Sequence, residues 1–112
     1  MARAHVGALC FENANPRHAH EWRVFEDIAI PDSLTLIPGV IDTSSNYIEH
    51  PDLVAERVIR LAGIVGRDRV VAGTDCGLST FATFLPVLPS IAWEKLRSLT
   101  EGANRASKFL WT

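Results

Sequence analysis

Three residues carry side chains able to do chemistry where a strand gives way to a loop: Glu12, Asp42 and Cys76. They lie 30 and 34 positions apart. A carboxylate and a thiolate on neighbouring strands suit Zn²⁺, which takes oxygen and sulfur donors but needs three or four protein ligands. Cys76 stands in Asp75-Cys76-Gly77, where the glycine leaves the backbone open and a thiolate can be presented. The alternative is a small buried hydrophobe, a frequent fate of free cysteine. Glu12 reads either as a first-turn carboxylate favoured by a helix dipole or as a ligand or base. Cys10, two residues earlier, shares a strand face with Glu12 and reads as a third ligand or a core thiol. His18 and His20 are two apart, and such residues do not face one another on a helix; with Glu21 they read as a solvated face, with a metal role as the alternative. His50 precedes Pro51 in a cap-like position. Asp42-Thr43-Ser44-Ser45 is a polar loop with no triad partner, which leaves Asp42 and Ser44 as catalytic candidates, and Asp75 is a candidate for substrate binding.

The elements that must hold these residues follow from local patterning. His5 to Phe11 is a short apolar run, followed by Asn15 as a cap and Pro16 as a first helical residue. A helix from His18 to about Asp27 would set Trp22 and Phe25 on one side. Ser33 to Ile41 is a β-rich run in which Pro38-Gly39 predicts a bend or bulge. Pro51 opens a helix whose Val54, Val58, Leu61, Ala62 and Val65 keep helical spacing, and Gly66 ends it. Arg69 to Ala72 predicts a third strand, breaking at Gly73, with a long loop to Ser90. A last helix places Ala92, Leu96, Leu99, Ala103, Ala106 and Leu110 on one stripe, and Gly102 weakens its middle by about 1 kcal/mol against alanine. Strand and helix alternating three times predict βαβ units and a parallel sheet. A (β/α)8 barrel takes about 31 residues per unit, close to the spacing of Glu12, Asp42 and Cys76. The expected fold is α/β: three consecutive βα units, one partial domain over residues 1–112, with the chemistry at the C-terminal ends of the strands.

Composition narrows the function classes. The chain has 112 residues, 47% hydrophobic and 21% charged, with a net charge of −2 and interspersed signs. A nucleic-acid partner would call for a basic face, so none is expected. Two cysteines are too few for a disulfide scaffold. Residues 1–5 lack an apolar core of signal-peptide length. The uncharged stretch from Cys76 to Trp93 carries Pro86, Pro89 and several hydroxyl residues, so it is a poor membrane span. A cytoplasmic protein is expected, with neither a phosphate-cradling glycine loop nor a dinucleotide fingerprint.

Four segments carry a resemblance. Gly39-Val40-Ile41-Asp42 and, after a helix, Ala72-Gly73-Thr74-Asp75-Cys76-Gly77-Leu78 resemble the C-terminal catalytic barrel of cobalamin-independent methionine synthases. Phe11-Glu12-Asn13-Ala14-Asn15-Pro16-Arg17-His18 and Ile48-Glu49-His50-Pro51-Asp52-Leu53-Val54-Ala55-Glu56-Arg57 resemble its short, single-barrel members. The resemblance implies a barrel of the methionine synthase/uroporphyrinogen decarboxylase-like type. It implies zinc-dependent methyl transfer from a methylated folate to homocysteine, without cobalamin. By motif it makes Glu12 and Cys76 zinc ligands. The family's His-x-Cys pair has no counterpart, since His5 is followed by Val6 and Gly7, and Ser44 stands where larger synthases carry a histidine. The expectation is a C-terminal fragment with half a zinc site, inactive alone, that self-associates or joins a missing N-terminal portion. Other members apply the same zinc–thiolate chemistry to other alkyl donors, such as epoxides with coenzyme M. The rival expectation is a non-catalytic remnant in which Cys76 is a buried thiol.

Overall fold

The computed structural model describes residues 5–79 and 86–112. Its order is β1 (Ala8–Phe11), α1 (Val24–Asp27), β2 (Thr35–Ile41), α2 (Pro51–Val65), β3 (Gly73–Thr74) and α3 (Pro89–Leu110). The strands form one parallel sheet in the order β1-β2-β3. Parallel neighbours in chain order, each pair joined by a helical crossover, are the winding of a barrel wall. An open doubly wound sheet would reverse its order. The expected three βα units are therefore present. Residues 80–85 lie outside the described residues, as do residues 1–4, so most of the long loop expected before Ser90 and the start of the chain are not described. Among the described residues no helix is long and apolar enough to cross a membrane.

Period-two alternation assigns the faces of β2. Leu36, Pro38 and Val40 point to the helical side and are buried, while Thr35 and Ile37 alternate with them and are half-buried. Val40 and Ile41 pack with Val54, Ala55 and Val58 of α2 and Ala106 of α3. A second cluster joins Phe25, Leu34, Leu36, Leu61 and Val65, with Leu9, Phe11 and Trp22 against it. Trp22 and Phe25 thus share a side, as their spacing predicts.

Several boundaries depart from expectation, each for a local reason. Strand pairing begins at Ala8, not His5. Residues 16–20 form turns instead of a helix, followed by a 3-10 turn (Glu21–Arg23) and the single turn of α1. The backbone here makes local turn hydrogen bonds instead, His18 N–H and Ala19 N–H both donating to the Asn15 carbonyl and Glu21 N–H to the His18 carbonyl. Of the bend or bulge expected at Pro38-Gly39, the second is what occurs: β2 runs unbroken from Thr35 to Ile41, and its register with β3 shifts between Gly39 and Ile41. The third strand lies at Gly73–Thr74, not at 69–72, because Arg67–Arg69 form a 3-10 turn and Val70 makes only an isolated bridge to Leu36.

The two long helices start and stop as predicted. Pro51 opens α2, and His50 caps it, its Nδ1 accepting from the Asp52 N–H at 3.0 Å. Gly66 closes it at φ +108°, a conformation that disfavours any side chain. Gly102 is buried in α3, where an added Cβ would lie 2.4 Å from Val54 Cβ and 2.8 Å from the Pro51 carbonyl oxygen. A glycine that weakens the isolated helix is what lets α3 lie against the start of α2.

Candidate active site

The C-terminal ends of the three strands meet in a cavity of about 360 Å³, lined among others by Glu12, His18, Asp42, Ser44, Asp75 and Cys76. β1 and β3 are separated by β2, so their ends should stand two strand spacings apart, about 9–10 Å. Yet Cys76 Sγ donates to Glu12 Oε1 at 2.9 Å. What closes the gap is Asp75. Its Oδ1 accepts from the Asn13 and Ala14 N–H groups at 2.9 and 3.0 Å. Its Oδ2 accepts from the Asn15 N–H and Nδ2 at 2.8 and 3.0 Å. The β3 end therefore reaches over β2 and grips the loop after β1. Only glycine allows that crossing: a Cβ on Gly39 would lie 2.0 Å from Asp75 Oδ1 and 2.5 Å from its Cα.

Two further ties fix the loops. Arg57 on α2 donates to the Val40 carbonyl at 3.0 Å and the Ala14 carbonyl at 3.4 Å, joining β2 to the β1 loop. Glu49 is 2% exposed. Its Oε2 accepts from the Asp42 N–H at 2.6 Å, and its Oε1 pairs at 2.7 Å with Lys95, which is fully buried. Ser98 donates to the Glu49 carbonyl oxygen. Asp42 is thus placed from behind by α3. Burial alone would raise its pKa, but hydrogen bonds from Ser44 N–H, Ser44 Oγ and Ser45 Oγ hold it below the usual carboxylate range.

The sequence-derived candidates fare as follows. Glu12 and Cys76 are brought into contact, and Asp42, Ser44 and Asp75 line the same cavity. Asp75 spends four hydrogen bonds on residues 13–15, and Asp42 spends its oxygens on its own loop. Cys10 is exposed on β1, so it is not a core thiol. Cys76 is exposed as well, which removes the buried-thiol reading. The largest influence on Cys76 is its hydrogen bond to Glu12, followed by burial; both push the thiol pKa up.

His18 was placed on a solvated face and is instead part of the site. Its Nε2 lies 3.2 Å from Glu12 Oε2, and its Nδ1 lies 2.8 Å from Glu21 Oε1. The Glu21 hydrogen bond is the largest influence on His18 and raises its pKa, and the negative charge of the nearby Glu12 carboxylate acts in the same direction. Helical spacing separates His18 from His20, but residues 16–20 are turns, and Pro16 directly after Asn15 is the local signal for that turn. Glu49 and Lys95 were missed because a buried ion pair between distant elements leaves no local pattern.

The donor pair fits zinc in kind. Ligands sharing a tetrahedral zinc at the usual Zn–S and Zn–O lengths stand roughly 3.5 Å apart, and Sγ and Oε1 are already at 2.9 Å. In number it is half a site: among the described residues no group of three or more His, Cys, Asp or Glu is arranged to hold a metal.

Sequential parallel strands joined by helical crossovers define the chain as part of an α/β barrel fold. The structure superimposes on a B12-independent methionine synthase from Shewanella sp. W3-18-1, solved in complex with selenomethionine, with a TM-score of 0.79 at 22% identity, over 98% of this chain and 29% of that one. In sequence, 81 residues are 39% identical to the 2-hydroxypropyl-CoM lyase of Xanthobacter autotrophicus, covering 72% of this chain and 20% of the lyase. No family model matches the chain. The chain spans between a fifth and under a third of these proteins. The resemblance to cobalamin-independent methionine synthases carried by the motifs thus holds in the fold, and the sequence match extends it to a related barrel-type lyase.

Proposed function

We propose that this chain contributes Glu12 and Cys76 to a zinc centre that activates a thiol for alkyl transfer, with residues 1–112 forming one wall of a catalytic barrel. The observation that carries the proposal is the 2.9 Å contact between Cys76 Sγ and Glu12 Oε1, made across an intervening strand and maintained by the Asp75–Gly39 crossing. A core thiol or a helix-dipole carboxylate would not need that construction. When bound, zinc would stabilise a substrate thiol as its thiolate at neutral pH, keeping a nucleophilic sulfur available. The remaining ligands come from outside this pair, so the chain is expected to be inactive in alkyl transfer alone.

This chain's own residues perform the rest. Asp75 fixes the β1 loop, and with it the carboxylate of Glu12, relative to Cys76. In the metal-free protein the Cys76 Sγ–H donates to Glu12 Oε1; that thiol proton must leave when a metal is bound, so metal uptake should strengthen as pH rises. Asp42 and Ser44, at the end of the strand between the two donors, line the same cavity, where a substrate's polar groups would lie.

The first substrate reading is homocysteine as acceptor and a methylated folate as donor. A second reading, a different alkyl donor with a small thiol such as coenzyme M, is favoured by two observations. Ser44 stands where the larger synthases carry histidine, and the 39% sequence match is to a CoM lyase. Co²⁺-loaded protein titrated with homocysteine and with coenzyme M separates the two. The thiol that binds at the metal perturbs the cobalt spectrum, and metal-loaded protein that responds to neither overturns the proposal.

A further inference from the structure

We infer that His18, held by Glu21, is the positioning residue of the Glu12–Cys76 pair and commits only one oxygen of Glu12 to the cavity. The inference rests on the reading of Glu12 and Cys76 as a working pair, but not on zinc being bound. Glu12 is half-exposed at a strand end, with a side chain free to rotate in the absence of partners. Its two oxygens nevertheless have different partners: Oε1 meets Cys76 Sγ at 2.9 Å, and Oε2 meets His18 Nε2 at 3.2 Å. The imidazole is itself fixed from its other side, Nδ1 lying 2.8 Å from Glu21 Oε1. Backbone geometry supports the same arrangement. The His18 N–H and the Ala19 N–H both donate to the Asn15 carbonyl, at 3.1 and 2.9 Å, and Asn15 is gripped by Asp75. The turn that carries His18 is thus referenced to the residue preceding Cys76. Glu21, His18, Glu12 and Cys76 form one line of contacts, with the only ring in it sandwiched between two carboxylates.

The consequence is specific. With Oε2 occupied, Glu12 offers Oε1 alone to Cys76 or to a metal, as a one-oxygen donor. Partners that orient a ligating group in this way are worth roughly 10- to 100-fold in metal affinity.

The test reads the thiol directly, in metal-free protein carrying Cys10→Ser so that Cys76 is the sole cysteine. The rate of Cys76 alkylation by iodoacetamide at fixed pH is compared in four forms: parent, His18→Ala, Glu12→Gln and the double variant. Glu12→Gln should accelerate alkylation by at least about threefold, because the carboxylate that raises the thiol pKa is gone, and His18→Ala should shift the rate by a similar factor as Glu12 Oε1 loses its fixed place on Sγ. The double variant should be no faster than Glu12→Gln, because His18 acts through Glu12. His18→Gln, whose amide can still donate to Oε2, should restore most of the parent rate. An unchanged rate in His18→Ala, or an acceleration that adds to that of Glu12→Gln, overturns the inference. Should His18→Ala lose its cooperative melt, Glu21→Ala, which removes the acceptor of the Nδ1 hydrogen bond, carries the same test: a rate changed from the parent supports the chain of contacts, and a parent-like rate contradicts it. Failure here with zinc still bound by Glu12 and Cys76 would leave the proposed function standing.

Discussion

Gly39 and Asp75 decide the site at the scale of single residues. A methyl group on Gly39 would occupy the space of the Asp75 carboxylate and backbone, so Gly39→Ala must push β3 away from the β1 loop. Overpacking of this kind costs about 1–3 kcal/mol, and the expected signature is a lower melting temperature together with faster Cys76 alkylation as the Glu12 contact is lost. Asp75→Asn removes the anionic acceptor of four hydrogen bonds, three of them from backbone N–H groups. Hydrogen bonds to a charged group contribute about 1.5–3 kcal/mol each at most sites, so a loss of that order is predicted in chemical denaturation. Asp42 gives a pH signature. Its carboxyl is held below the usual range by Ser44 and Ser45, so the stabilisation exists above the unfolded pKa of about 3.9 and is lost as pH falls through the lower folded value. Ser44→Ala should therefore destabilise the protein at neutral pH and converge on the parent in strong acid, read by thermal melts across that range.

At the scale of elements, propensity and packing oppose each other in α3. Gly102→Ala would add about 1 kcal/mol of helix propensity, but its Cβ would lie 2.4 Å from Val54. Packing wins: the substitution should lower stability, and a small residue at position 54 should restore it. The Glu49–Lys95 pair links α3 to the end of β2. Glu49→Ala leaves a fully buried ammonium without its carboxylate, a change that costs about 3–5 kcal/mol, and it should also loosen the Asp42 loop. The same elements show what was legible beforehand. The caps and stripe of α2 were readable because Pro51, Gly66 and the apolar spacing are local signals, and so was the three-unit barrel winding. Glu12 and Cys76 were readable as a pair through strand-end spacing and motif. His18 was not, because it sits in a turn that starts at Asn15, a residue held by Asp75 sixty positions away. β3 was misplaced because Arg69, which reads as the start of a strand, turns its guanidinium onto the Leu34 and Val65 carbonyls instead.

At the scale of the molecule, the helices cover one face of the sheet only. Among the described residues the outer edge of β1 pairs with no strand, and Ala8 and Cys10 on its other face are exposed. An unpaired parallel edge beside an apolar face favours association, so sedimentation should show concentration-dependent self-association that Ala8→Lys reduces. The proposed function makes Glu12 and Cys76 metal donors assembled across β2. Zinc titration of the purified, tag-free chain against a competing chelator tests it most directly, with Cys76→Ser and Glu12→Gln beside the parent. Saturable zinc binding that disappears in Cys76→Ser and weakens in Glu12→Gln is the predicted result. A cooperatively folded parent that binds no zinc, or binds it equally well without Cys76, would contradict the account.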